Sequence, residues 1–254
     1  MAEATIVSEA IKKTRKVALV TGGNKGIGLE VGRQLGRAGM MVLLGARNQN
    51  LGDAAAARLR DEDGSEARSI LLDLAKRETM ASAAKLLAAE YGHLDVLVNN
   101  AGIADPADGP PSSAEIAAVR RVFETNFFAT LEVTQAMLPL LRKSEAGRIV
   151  NVSSGLGSLT YNGDPSWEFA SVKRMGYCGS KAALNMMTVQ LAYELRDTAI
   201  KVNAANPGFT ATDLNQHRGT QTVEEGAAET VRLALLPPDG PTGGFFDRFG
   251  GNPW

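Results

Sequence analysis

The chain alternates between short apolar runs and longer stretches whose apolar residues recur at helical spacing. The runs are Val17–Thr21, Met41–Leu44, Ser69–Asp73, Asp95–Asn99, Arg148–Ser153, Ile200–Asn206 and a last one near Gly244–Arg248. Runs this short, with little polar alternation, read as strands buried on both faces. Between them, Met80, Ala84, Leu87 and Tyr91 line one face of a helix. The 50–60 segment is alanine-rich and helical by propensity. From about Ala117 to Leu141, Val122, Phe123, Phe127, Phe128, Leu131, Val133, Met137 and Leu138 surround a helix instead of striping it. That predicts burial on two sides. Strands alternating with helices predict an α/β fold, a doubly wound parallel sheet of about seven strands with helices on both faces. No repeat or composition break divides the chain, so residues 15–254 read as one domain. Residues 1–14 are polar and read as a flexible N-terminal tail.

Composition narrows the function. The 254 residues carry 27 Lys+Arg against 28 Asp+Glu, a net charge of −1. This argues against nucleic acid or an anionic membrane surface as a partner. The longest apolar run, Gly39–Ala46, falls well short of a membrane span. No apolar core of a secretory signal accompanies Glu3, Glu9 and Lys12. The single cysteine, Cys178, leaves no internal disulfide and fits a reducing, cytoplasmic setting. Two histidines, His93 and His217, read as surface residues, and no metal site is expected.

Ligands of a parallel sheet bind at the carboxyl ends of its strands, so the chemistry is sought there. The first strand runs into Gly22-Gly23-Asn24-Lys25-Gly26-Ile27-Gly28 and then a helix. Glycines permit a tight turn and close approach of the backbone to a pyrophosphate, and a helix start offers free N–H groups. Alone, such a cluster is equally an ordinary turn. At the end of the second strand, where a carboxylate would grip a ribose 2′-OH, stand Ala46 and Arg47. Arg47 and Lys25 instead suit a 2′-phosphate, which favours NADPH.

Further motifs follow each strand: Asp73 with Leu74, Asn99-Asn100-Ala101-Gly102, Ser153-Ser154, and Pro207-Gly208 with Thr210 and Thr212. Asn126 lies in a helix, and Tyr177-Cys-Gly-Ser-Lys181 opens another. With the glycine loop, this set resembles the short-chain dehydrogenase/reductase family over residues 16 to 249. Within it, Gly-Gly-Asn-Lys-Gly-Ile-Gly and the 224–245 tail look like carbonyl reductases. The resemblance implies a Rossmann-type fold. It assigns cofactor contacts to Gly22, Asn24, Lys25, Gly26, Ile27, Gly28, Arg47, Asp73, Leu74, Asn100, Ala101, Gly102, Tyr177, Lys181, Pro207, Gly208, Thr210 and Thr212. It implies a tetrad of Asn126, Ser154, Tyr177 and Lys181, with Asn126 holding a water relay to Lys181 and Lys181 gripping the nicotinamide ribose.

The residues support the same chemistry physically. Tyr177 and Lys181 share a helix face at i,i+4. A free tyrosine titrates near ~10, and a neighbouring ammonium lowers that value. Ser154 ends the fifth strand, where its hydroxyl can donate to a carbonyl oxygen gaining charge. Singly, each is also a common surface residue, strand end or turn former. The implied activity is NADPH-dependent reduction of ketones and aldehydes. An alcohol dehydrogenase or a 3-oxoacyl reductase uses the same residues, and a non-catalytic dinucleotide-sensing module would carry a broken tetrad. Family members pair through the Asn126 and Tyr177 helices, which implies a homodimer or homotetramer.

Between Ser154 and Tyr177 lies a segment longer than in the shorter family members. It carries Leu159, Tyr161, Trp167, Phe169 and Val172. The expectation is a substrate pocket walled by this loop, facing Phe209 and Leu214, with Trp167 and Phe169 touching bulky hydrophobic or aromatic compounds. The alternative is that these aromatics only brace the loop.

Overall fold

Strand β1 (Val17–Thr21) is buried along its whole length, and its side chains divide between two cores. Ala18 and Val20 enter one; Val17 and Leu19 enter the other. The remaining strands are β2 (Met41–Ala46), β3 (Ala67–Leu71), β4 (Val96–Asn99), β5 (Arg148–Val152), β6 (Lys201–Ala205), β7 (Phe245–Asp247) and β8 (Gly250–Gly251). The computed structural model describes residues 15–254, so the tail expected over 1–14 lies outside the described residues. Among those described, eight strands form one sheet in the order β3-β2-β1-β4-β5-β6-β7-β8. Every pairing is parallel except β7 with β8. The expected seven strands are present; the eighth is a two-residue antiparallel return.

The helices are α1 (Gly26–Arg37), α2 (Gln49–Asp63), α3 (Arg77–Glu90), α4 (Ile116–Phe123), α5 (Ala129–Leu141), α6 (Leu159–Gly163), α7 (Met175–Glu194) and α8 (Val223–Ala234). Leu35 of α1, Leu59 of α2 and Val231 of α8 pack on one face of the sheet. Leu87 of α3, Val133 and Met137 of α5 and Ala192 of α7 pack on the other. Two-sided burial explains why the strands lack polar alternation. The chain reverses direction across the sheet between β1 and β4, and it is at such a switch point that a parallel sheet leaves a crevice for its ligand. No described helix is long and apolar enough to cross a membrane.

Three expectations need correction. Strand β3 ends at Leu71, so Asp73 lies beyond it; Thr79 takes up its main chain through a hydrogen bond from Asp73 N at 3.0 Å. The expected Ala117–Leu141 helix is interrupted by a π-turn, Glu124–Phe128. The wider turn carries Asn126 inward, where it is buried. His93 is not a surface residue: Nε2 lies 3.1 Å from the Asp95 carboxylate and Nδ1 3.0 Å from Tyr91 O, with the side chain only 17% exposed.

Candidate active site

The glycine loop closes β1 onto the carboxyl end of β4. Thr21 Oγ1 accepts from the amides of Asn100 and Ala101, both at 3.0 Å. The Asn100 side chain donates to Thr21 O at 2.9 Å, so its amide locks the loop. Gly22 and Gly26 have positive φ, and a Cβ at Gly28 would come within 2.5 Å of Gly22 O. These positions require glycine.

The start of α1 is left for a ligand. No side chain caps it, and its first turn holds no acidic residue. Across the crevice, the segment after β6 approaches: the Thr212 methyl would lie 3.6 Å from a Cβ on Gly26. Lys25 Nζ lies 2.5 Å from Asp213 Oδ2, and His217 Nε2 lies 2.9 Å from Asp213 Oδ1. Lys25, expected to face a phosphate, is thus paired with a carboxylate from the opposite wall. Arg47 is exposed past β2. Uncapped amides with two cations at the crevice are a donor set that fits a phosphorylated dinucleotide.

Deeper in, the tetrad candidates converge. Tyr177 and Lys181 stand one turn apart on α7, with Lys181 Nζ over the tyrosine ring at 5.8 Å from its centre. Lys181 Nζ donates to Val152 O at 2.7 Å. Asn126 Oδ1 accepts from Ile103 N at 2.8 Å, while its Nδ2 donates to Ile103 O and to Ser180 Oγ, at 3.0 and 3.1 Å. It therefore ties the loop after β4 to α7. A Cβ on Gly102 would lie 3.3 Å from Asn126 Oδ1 and 3.6 Å from Lys181 Nζ, so glycine keeps that space open. Ser154 Oγ accepts from Leu156 N at 3.2 Å and neighbours the Tyr177 hydroxyl.

Burial, not the lysine, dominates the titration of Tyr177. Desolvation pushes its hydroxyl up to about 12, and the Ser154 side chain opposes this. Desolvation likewise brings the Lys181 ammonium down to about 8. The Lys181 ammonium lies over the ring and donates to the Val152 carbonyl, and it is not among the groups that shift Tyr177.

The aromatic residues of the long segment assemble into a ladder. Tyr161 stacks on Trp167 at 5.1 Å, Trp167 meets Phe169 edge-on at 5.5 Å, and Phe169 reaches Phe209 at 5.7 Å. Trp167 also lies against Gly155, the residue after Ser154. Leu214 is half exposed. A groove of about 210 Å³ is lined instead by Leu156, Leu159, Asn162, Met175, Cys178 and Ala182.

Sequence reading placed Asn99 and Ser153 in motifs without a role and missed their partners Thr134, Asn151, Thr188 and Asn185. Asn99 donates to Thr134 Oγ1 and Asn151 Oδ1, and Asn151 donates to Thr188, a buried chain from β4 through β5 to α5 and α7. Ser153 donates to Asn185 Oδ1 at 2.5 Å, a second tie between β5 and α7. Polar residues inside otherwise apolar strands were the available signal.

A family model described as short chain dehydrogenase matches residues 16–222. The chain is 38% identical over 261 residues to carbonyl reductase (NADPH) 3 of Rattus norvegicus, covering 88% of this chain and 92% of that one. The structure of salutaridine reductase from Papaver somniferum aligns with a TM-score of 0.80 at 31% identity, covering 91% of this chain and 99% of that one. A short chain dehydrogenase from Shigella flexneri complexed with NADP aligns with a TM-score of 0.77 at 30% identity, covering 91% and 96%.

Proposed function

The chain belongs to the short-chain dehydrogenase family, an oxidoreductase that works with a nicotinamide dinucleotide, and from that premise we propose that it is an NADPH-dependent carbonyl reductase for bulky hydrophobic or aromatic ketones and aldehydes. The observation carrying this reading is the convergence of Ser154, Tyr177, Lys181 and Asn126 beside an uncapped, glycine-lined helix start. Choice of NADPH is supported by Lys25 and Arg47, by the missing carboxylate after β2, and by relatives named for NADPH or solved with NADP. The aromatic ladder beside Ser154 supports the substrate class.

In this reading the glycine loop, Asp73, Leu74, Asn100 to Gly102 and the Pro207–Thr212 segment hold the dinucleotide. When bound, that group supplies a hydride to the carbonyl carbon. Ser154 donates a hydrogen bond to the carbonyl oxygen as charge builds there. Tyr177, which burial keeps protonated, delivers the proton to that oxygen. Lys181 gives positive charge beside the ring, and Asn126 fixes the main chain next to it. We place the protein in the cytoplasm as a homodimer or homotetramer.

The test is consumption of NADPH, with an NADH control, across aryl ketones, aldehydes, quinones and 3-oxoesters. Turnover of aryl ketones with NADPH supports the reading. Turnover confined to 3-oxoacyl compounds, or none despite NADPH binding, overturns it.

A further inference from the structure

We propose that Asp108 is a positioning residue for Tyr177, setting the phase of the helix that presents its hydroxyl. The inference rests on the reading of Tyr177 as proton donor. Helix α7 begins at Met175, and Arg174 before it contributes no side-chain cap. The first amides are met from the loop after β4 instead. Gly176 N donates to Asp108 Oδ1 and Tyr177 N to Asp108 Oδ2, each at 2.8 Å. Met175 N donates to Gly109 O at 2.8 Å. A carboxylate here also complements the positive end of the helix.

Two features make this more than a cap. The two oxygens take consecutive amides, so the contact fixes both the advance and the rotation of the first turn, and one of those amides belongs to Tyr177 itself. Asp108 is 7% exposed, so water does not readily replace it. Gly176 eases the approach: a Cβ there would lie 3.1 Å from Asp108 Oδ2 and 3.1 Å from Val119 Cα, tighter than an ordinary contact.

The loop is braced in turn. Asp108 N donates to Asp105 O at 3.0 Å, and Ala107 N donates to Asp105 Oδ1 at 3.0 Å. Arg121 Nε donates to Asp105 Oδ2 at 2.8 Å. One turn further along α7, Lys181 is anchored to Val152 O and Ser180 to Asn126. The helix is thus held at both ends of the Tyr177–Lys181 turn, and Asp108 supplies the hold at the tyrosine end.

The test compares Asp108→Asn, which keeps the shape and one acceptor, with Asp108→Ala, which keeps neither. Asp63→Asn is the control: this carboxylate, whose side chain is also buried, ends α2 and binds Arg33 and Arg37 of α1. On an aryl ketone, kcat is expected to fall about 10-fold in Asp108→Asn and about 10²-fold in Asp108→Ala, with the Kd for NADPH little changed. Amide exchange at Gly176 and Tyr177 should accelerate in both, while amides in α5 keep their rates. Asp63→Asn should lower the melting temperature and leave kcat alone. If Asp108→Ala does not fold, Asp108→Asn carries the test. Unchanged kcat in a folded Asp108 variant, a matching loss in Asp63→Asn, or unchanged exchange at the two amides overturns the proposal. A wild-type protein that binds NADPH but reduces nothing refutes the carbonyl-reductase reading by itself; amide exchange, which needs no substrate, then decides for or against Asp108.

Discussion

Lys181 holds its ammonium over the ring of Tyr177, 5.8 Å from the ring centre, and spends a hydrogen bond on Val152 O at 2.7 Å. Lys181 is buried and Tyr177 half-buried, and loss of water around their polar ends moves the two groups in opposite senses. The tyrosine becomes a weaker acid and the lysine a weaker base.

Ketone reduction should follow the lysine. At neutral pH both groups are protonated. As pH rises through about 8, Lys181 loses its charge, whereas Tyr177 keeps its proton until about 12. The kcat–pH profile should fall with an apparent value near 8, and Lys181→Arg should push that fall upward. A profile flat to about pH 10 contradicts the assignment.

Lys181 also lowers stability. Between about 8 and its ordinary value of 10.5 the unfolded chain binds more protons than the folded one, so its contribution to stability rises with pH across that window. Below it, the desolvation cost of the charge is complete. Lys181→Met should raise stability at neutral pH by ~1 kcal/mol, part of the gain being offset by the orphaned Val152 carbonyl, while turnover is lost. Thermal unfolding at two pH values checks both the sign and the window.

Tyr177→Phe keeps the ring and removes the proton. We expect kcat to drop by ~10²–10⁴-fold with NADPH affinity retained. Isothermal titration alongside steady-state kinetics separates the two effects, and near-wild-type turnover would refute the proton-donor role.

At the crevice mouth, Asp213 pairs with Lys25, so on the proposed NADPH reading it would compete with the 2′-phosphate for that ammonium. Replacing Lys25 and Arg47 by Ala should raise the KM for NADPH by about 10-fold or more and leave that for NADH nearly unchanged. Asp213→Asn should act in reverse, lowering the KM for NADPH. Equal effects on both cofactors would sink the argument.

The ladder from Tyr161 to Phe209 invites a comparison of Trp167→Ala with Phe169→Ala. Altered relative kcat/KM between a bulky aryl ketone and a small aldehyde, with melting temperature kept, marks substrate contacts. Fixed selectivity with a fallen melting temperature marks a structural brace.

Phe128 on the π-turn and Met186, Val189 and Tyr193 on α7 are exposed apolar side chains. The proposed assembly would bury them between subunits, so light scattering at micromolar concentration should show a dimer or tetramer. Met186→Glu with Tyr193→Glu should shift it to monomer, and a wild-type monomer would refute the assembly.

The alternating strands and helices were legible in the sequence because they depend on local pattern, and the tetrad candidates because their motifs carry the family resemblance. Strand β1 starts and stops where its apolar run does, the glycine loop follows without a gap, and Tyr177 and Lys181 are neighbours by helical spacing alone. What the tertiary structure decided lies between distant segments. Asp108 meets Tyr177 N across 69 residues, and Lys25 meets Asp213 across 188. The inward turn of Asn126 comes from a π-turn that the helical period hides. The direction of the Tyr177 shift required knowing which way the Lys181 ammonium points and how deeply both groups are buried. Periodicity reports which faces are apolar; only packing determines what water each polar group loses and which partner replaces it.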